Sequence, residues 1–207
     1  TNGEFNHSVK NINLSGNITG TVSGELKVFK YIKDLANNGE SIPIENIEFK
    51  LSRKDGDYVK DNQKEVIIKT NQLGIANIKG LRTGQYKVQE ISAPNWIDFD
   101  LSTSKVYEFE VKTTDTEGTF LEIENKVAKM NIPVTKEWIG AKTDSVEVEL
   151  YQKSDNTLVS KIVLNEENNW EGSFENINKY DKNGNEIEYF IKEVSIDGYE
   201  SKIEGNQ

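Results

Sequence analysis

Tyr86-Lys87-Val88-Gln89-Glu90 alternates with the period of a β-strand, placing Tyr86 and Val88 on one face and Glu90 in the same phase. Side chains point to alternate sides along a strand, so the apolar phase is the inward one and Glu90 is expected in a core. Two further stretches carry the same anomaly. In Leu26-Lys27-Val28-Phe29-Lys30-Tyr31-Ile32, Lys30 shares its face with Leu26, Val28 and Ile32. In Leu121-Glu122-Ile123-Glu124-Asn125, Asn125 shares its face with Leu121 and Ile123. A polar group buried without a partner costs roughly 2–7 kcal/mol, and a charge more. An amine, a carboxyl and a carboxamide written into core phase are therefore expected to satisfy one another.

The rest of the chain supports strands throughout. Its 207 residues suffice for one large domain or two of ordinary size. Hydrophobic residues make up 35% and charged residues 29%, which permits a modest core. Asn, Gly and Asp cluster roughly every ten residues between β-branched and aromatic runs, and no window sustains helical periodicity. The fold class expected is all-β. A net charge of −10, with lysines dispersed among Asp and Glu, argues against a nucleic-acid stripe and leaves no basic patch for a membrane surface. There is no cysteine, so an exported form would need something other than disulfides to stabilise it. With His7 the sole histidine, zinc sites and Cys/His or Ser/His/Asp nucleophilic machinery are nearly excluded, and neither cofactor nor metal is expected. No signal peptide and no apolar run of membrane-spanning length is present. The opening Thr1-Asn2-Gly3-Glu4, without Met, reads as part of something longer.

An internal repeat organises the chain. The stretch containing Lys30 returns as Ile132-Pro133-Val134-Thr135-Lys136-Glu137-Trp138, with Lys136 in phase with Ile132 and Val134. Ile47-Glu48-Phe49-Lys50-Leu51 returns as Val146-Glu147-Val148-Glu149-Leu150, and Ala76–Leu81 as Gly172–Ile177. Tyr86-Lys87-Val88-Gln89-Glu90 returns as Tyr189-Phe190-Ile191-Lys192-Glu193. Order and spacing are kept, which predicts tandem β-sandwich modules over 20–127 and 128–207 with almost no linker. Residues 1–19 are either a leader or the closing strand of an upstream module, since His7, Val9 and Asn11 share a face.

These motifs resemble tandem Cna-B-type, prealbumin-like domains from the stalks of Gram-positive surface adhesins and pilins. Tyr86 through Glu90 followed by Ala93-Pro94 resembles the family's E-box, with Tyr189–Glu193 and Gly198-Tyr199 as its second copy. Val134-Thr135-Lys136-Glu137-Trp138, Asn168-Asn169-Trp170 and Lys179-Tyr180-Asp181 are similar to the collagen-adhesin B-repeat pattern. The resemblance implies two immunoglobulin-like, prealbumin-like sandwiches in an elongated arrangement, on the outer wall of a Gram-positive cell. It also implies an intramolecular isopeptide bond between Lys30 and Asn125, promoted by Glu90. Burial would disfavour the charged form of Lys30 and free its amine as a nucleophile. A carboxyl in the same apolar setting would hold and shuttle the proton. Such a bond would form once per chain, without enzyme turnover. Taken alone, the residues equally describe a buried Lys30–Glu90 ion pair capped by Asn125.

In the second module Lys136 and Glu193 recur, but no later strand bearing Asn or Asp follows. A second bond is then open to Lys136 with a partner outside this chain, or with Asn11 of a neighbouring molecule through strand complementation. Asp181-Lys182-Asn183-Gly184-Asn185-Glu186 resembles half a Ca²⁺ loop but lacks the bidentate Glu, so it is expected to be a turn, as are Asp34 through Gly39 and Asp55-Gly56-Asp57. Trp138 and Trp170 are expected to pack in the core, and Trp96 to lie in a loop where it could meet a partner. The expected role is a structural stalk whose partners are neighbouring domains or subunits of the same surface protein. The alternative is an adhesin module binding a host matrix protein or glycan directly. A weaker third reading is a carbohydrate-binding accessory domain.

Overall fold

The computed structural model describes residues 19–33 and 39–205. The readings of residues 1–18, with His7 and Asn11, and of the turn from Asp34 fall outside the described residues. The described residues form strands and a single 3-10 turn at Leu101–Thr103, and no α-helix. No helix among them is long and apolar enough to cross a membrane. The chain divides into two compact units between Val127 and Ala128.

The first unit contains β1 (Leu26–Ile32), β2 (Ile42–Pro43), β3 (Glu48–Arg53), β4 (Glu65–Lys69), β5 (Ile75–Ile78), β6 (Gly84–Ser92), β7 (Ile97–Asp98), β8 (Val106–Val111), β9 (Thr119–Glu124) and β10 (Lys126–Val127). In one sheet β1 is central. The last long strand, β9, runs parallel along one edge from Leu26↔Thr119 to Tyr31↔Glu124. Along the other edge run β5 and then β2, both antiparallel. The opposing sheet has the order β4-β3-β6-β8 and is antiparallel throughout. Leu26, Val28, Ile32, Ile78, Leu121 and Ile123 from the first sheet meet Phe49, Leu51, Tyr86, Val88 and Phe109 from the second. Each large apolar side chain so buried contributes about 2 kcal/mol. Phe29 is out of phase with this core and is nonetheless fully buried, stacked on Tyr31 with ring centroids 5.4 Å apart.

The second unit contains β11 (Lys129–Thr135), β12 (Ser145–Gln152), β13 (Thr157–Asn165), β14 (Glu171–Asn178) and β15 (Tyr189–Glu193). β11 pairs with β14 as β1 pairs with β5, and the sheet β13-β12-β15 reproduces β4-β3-β6. The duplicated sequence segments thus occupy equivalent strands. Among the described residues β11 has a strand on one edge only and no strand follows β15, so counterparts of β8 and β9 are not among them. Val146, Val148, Leu150, Leu164, Trp170, Phe174 and Ile177 form this unit's core. Trp170 is not on a strand: it precedes β14 in left-handed backbone (φ 61°), directly after Asn169 (φ 55°). Neighbouring left-handed residues turn the chain sharply enough to drop the indole onto the core.

Gly74 fixes the inner edge of β1. Its φ of +73° lies in the left-handed region, and a Cβ there would stand 2.5 Å from the Lys30 carbonyl oxygen. That oxygen accepts from the Ile44 N–H, while the Lys30 N–H donates to the Gly74 carbonyl. Gly74→Ala is therefore expected to lower stability by about 2 kcal/mol or more, read as a fall in the thermal midpoint, through strain and displacement of Lys30.

Candidate functional site

The three core-phase polar residues converge between the two sheets of the first unit. β1 carries Lys30 inward, and its side chain is fully buried. β6 carries Glu90 inward from the opposing sheet, 6% exposed. The Lys30 Nζ lies 2.7 Å from Glu90 Oε2. The other carboxylate oxygen, Oε1, accepts a 2.6 Å hydrogen bond from Asn125 Nδ2. Phe49 stands opposite Glu90 across the β3–β6 ladder, with its ring centroid 5.9 Å from the Lys30 Nζ. The amine is thus walled by apolar surface, with one carboxylate as its polar partner.

Asn125 sits one residue beyond β9 and is half-buried. Its backbone N–H donates to the Tyr31 carbonyl at 2.9 Å, extending the β1–β9 alignment by one bond. Directly after it, Lys126 and Val127 pair with Asp98 and Ile97. The residue is therefore clamped from both sides, which aims its carboxamide into the core although regular pairing has ended.

Desolvation pushes the Lys30 amine down from 10.5 to about 8, against the opposing pull of the Glu90 charge and hydrogen bond. The shift favours the uncharged, nucleophilic form of the amine relative to an exposed lysine. A single carboxylate faces a nitrogen nucleophile through one oxygen and an amide nitrogen through the other. That geometry can take a proton from the first and hand it to the second.

Contacts that strand alternation does not reveal support the site. The Ser104 hydroxyl donates to the Glu90 carbonyl at 2.7 Å, and the Gln89 side-chain amide donates to the Ser104 carbonyl at 3.0 Å. Ser104 ends the 3-10 turn Leu101–Thr103, which is capped by Asp100 accepting from the Ser102 N–H. An Asp followed two residues on by Ser is a legible cap signal; its target on a distant strand is not.

In the second unit Lys136 and Glu193 also meet, at 3.0 and 3.2 Å from Nζ to the two carboxylate oxygens. Their side chains remain 17% and 12% exposed, and Lys136 lies 4.7 Å from the centroid of the Trp138 ring. Among the described residues no carboxamide joins this pair. Trp138 packs edge-on against Trp170, and both indole N–H groups are buried without a hydrogen-bond acceptor. Trp96 lies in the turn between β6 and β7, as expected, and is half-buried there against the first unit's core. Asp181 accepts from the Asn183 and Asn185 N–H groups, as a turn-capping residue does. Arg53 holds Asp55 at 2.8 Å at the start of the following turn.

Comparison with known proteins agrees with this architecture. Residues 132–207 match the Cna protein B-type domain and residues 29–127 match the prealbumin-like fold domain. A collagen adhesin of Staphylococcus aureus is 42% identical over 97% of this chain, which spans 17% of that protein's length. Among solved structures, the Bacillus anthracis TIE protein is 24% identical with a TM-score of 0.54, covering 86% of this chain and 32% of that one, a likeness of fold. A single B repeat unit (B1) of the collagen-binding surface protein of Staphylococcus aureus is 22% identical over 90% of this chain and 92% of that one, with a TM-score of 0.35. Two sandwiches built on one duplicated strand plan, each with an inward Lys–Glu pair, place this chain in the family of Cna B-type and prealbumin-like domains.

Proposed function

We propose that this chain is part of the structural stalk of a Gram-positive cell-surface adhesin or pilin, and that its first module locks itself with an amide bond between Lys30 and Asn125. The observation that carries the reading is the Glu90 carboxylate, held between the Lys30 amine and the Asn125 carboxamide in a buried site. The neutral Lys30 nitrogen bonds to the Asn125 carboxamide carbon, and the bond from that carbon to Nδ2 breaks. The proton released from Lys30 passes through Glu90 to the departing nitrogen, which leaves as ammonia. Proximity imposed by the fold supplies the effective concentration that free groups lack. The reaction runs once per chain and is not enzyme turnover.

The position of the bond suits a load-bearing role. β1 and β9 are adjacent and parallel, and Lys30 and Asn125 both lie toward their C-terminal ends. Tension entering before β1 and leaving after β9 would travel along β1, across the amide and out, leaving residues 31–124 off the load path. A crosslink of this span also restricts the unfolded chain, by about 4.7 kcal/mol in the loop-entropy account, in a chain without cysteine. The partners in this reading are neighbouring domains or subunits of the same surface protein, outside the cell. The Lys136–Glu193 pair is the same device, whose carboxamide would come from a strand added parallel to β11. Asn11 of a neighbouring molecule is the candidate within this sequence.

Intact mass tests the central claim. The chain is expected to weigh one ammonia less than its sequence, with a tryptic map joining the Lys30 and Asn125 peptides and Glu90→Ala retaining the full mass. A wild-type chain of full mass sinks the proposal. Loss of a second ammonia together with a covalent dimer on denaturing gels is the outcome expected if Asn11 reaches Lys136 in trans.

A pH series separates the amine from the bond. In Asn125→Ala the crosslink cannot form, and Lys30 stays a buried amine whose folded value, near 8, lies below its unfolded 10.5. Between those values the unfolded chain binds more protons, so stability rises with pH across that window and the penalty is full below it. Asn125→Ala is expected to gain up to about 3 kcal/mol from pH 8 to 10.5 relative to the same variant carrying Lys30→Met, measured by urea denaturation.

A further inference from the structure

We infer that Ser104 is a positioning residue for Glu90, holding the carboxylate at the angle from which it reaches the Lys30 and Asn125 nitrogens together; this rests on the crosslinking reading above. The β6–β8 ladder ends at Gln89↔Val106, one residue before Glu90. On the other side of β6 the ladder with β3 breaks register just past Glu90: Phe49 faces Glu90, whereas Glu48 faces Ser92, leaving Ile91 as the extra residue of a bulge. Glu90 is thus the last inward residue of β6 at the point where regular pairing fails on both sides. Bulges bend a strand and re-aim its side chains, so something else must fix the backbone here.

The Ser104 hydroxyl occupies that place. It donates to the Glu90 carbonyl at 2.7 Å on the side where β8 has stopped, and the Gln89 amide returns a bond to the Ser104 carbonyl at 3.0 Å. Ser104 is itself held by its backbone N–H bonding back to the Leu101 carbonyl at the end of the 3-10 turn. The two Glu90 oxygens lie 2.7 and 2.6 Å from their partners. A carboxylate bridging two nitrogens at such short range has little room to pivot. A small rotation of the Glu90 backbone lengthens one bond or the other and breaks the proton path.

The hydroxyl is tested with Ser104→Thr, which keeps it, and Ser104→Val, which has the same shape without it. Each full chain is produced by cell-free translation and its loss of ammonia followed by intact mass over time. Ser104→Thr is expected to crosslink at about the wild-type rate and Ser104→Val about tenfold more slowly. Ser102→Ala, on the same turn but without contact to Glu90, is expected to match the wild type. Equal rates for the Thr and Val variants, or equal slowing in Ser102→Ala, overturn the role of Ser104 while leaving the Lys30–Asn125 bond standing. A wild-type chain that retains its ammonia overturns both.

Discussion

The first module is organised around a lysine amine with no exposure to water. Burying a charge of this kind is tolerated only when a counter-charge and hydrogen bonds replace the lost hydration. Here one carboxylate meets the amine, and the same carboxylate anchors a carboxamide. Because the three side chains come from β1, β6 and the end of β9, the site constrains both sheets at once. A register slip of one residue in β1 or β6 turns that strand's polar residue to the far face and breaks the set. The apolar alternation of the same strands opposes such a slip independently, so core packing and polar satisfaction select a single register.

The two modules share this plan and differ in how closed it is. In the first, the parallel β1–β9 pairing and the β7–β10 clamp bring the chain back over the pair and seal it. In the second, Lys136 and Glu193 meet at slightly longer distances and keep some exposure. Among the described residues β9 and β10 flank the first pair and no later strand flanks the second, while the residue types are the same.

Much of the fold was legible from period-two alternation. The inward sets of β1, β3, β6 and β9 follow it, and the repeat assigned the equivalent strands of the second module. What escaped the sequence has local causes. Phe29 is buried on the far face of β1, stacked on Tyr31, whereas alternation marks only the face that carries Leu26, Val28 and Ile32. Trp170 reaches the core from a left-handed turn and not from a strand. Asn125 is inward as its phase marks, but it lies beyond the end of β9 and is held there by backbone bonds on either side, which the phase does not show. Gly74 and Ser104 act through backbone groups of distant residues, and no side-chain pattern announces such contacts.

The sequence by itself determined the strand faces, the duplication and the identity of the three polar residues bound for the core, because a strand's two-residue period is a local property of the chain. Only the tertiary structure decided that the three meet at one carboxylate, with one oxygen to each nitrogen, and that Lys30 is dry whereas Lys136 is not. Those outcomes depend on strand order, on where two ladders stop and on which turn stands beside Glu90. They arise between segments far apart in the chain, where side-chain alternation carries no information.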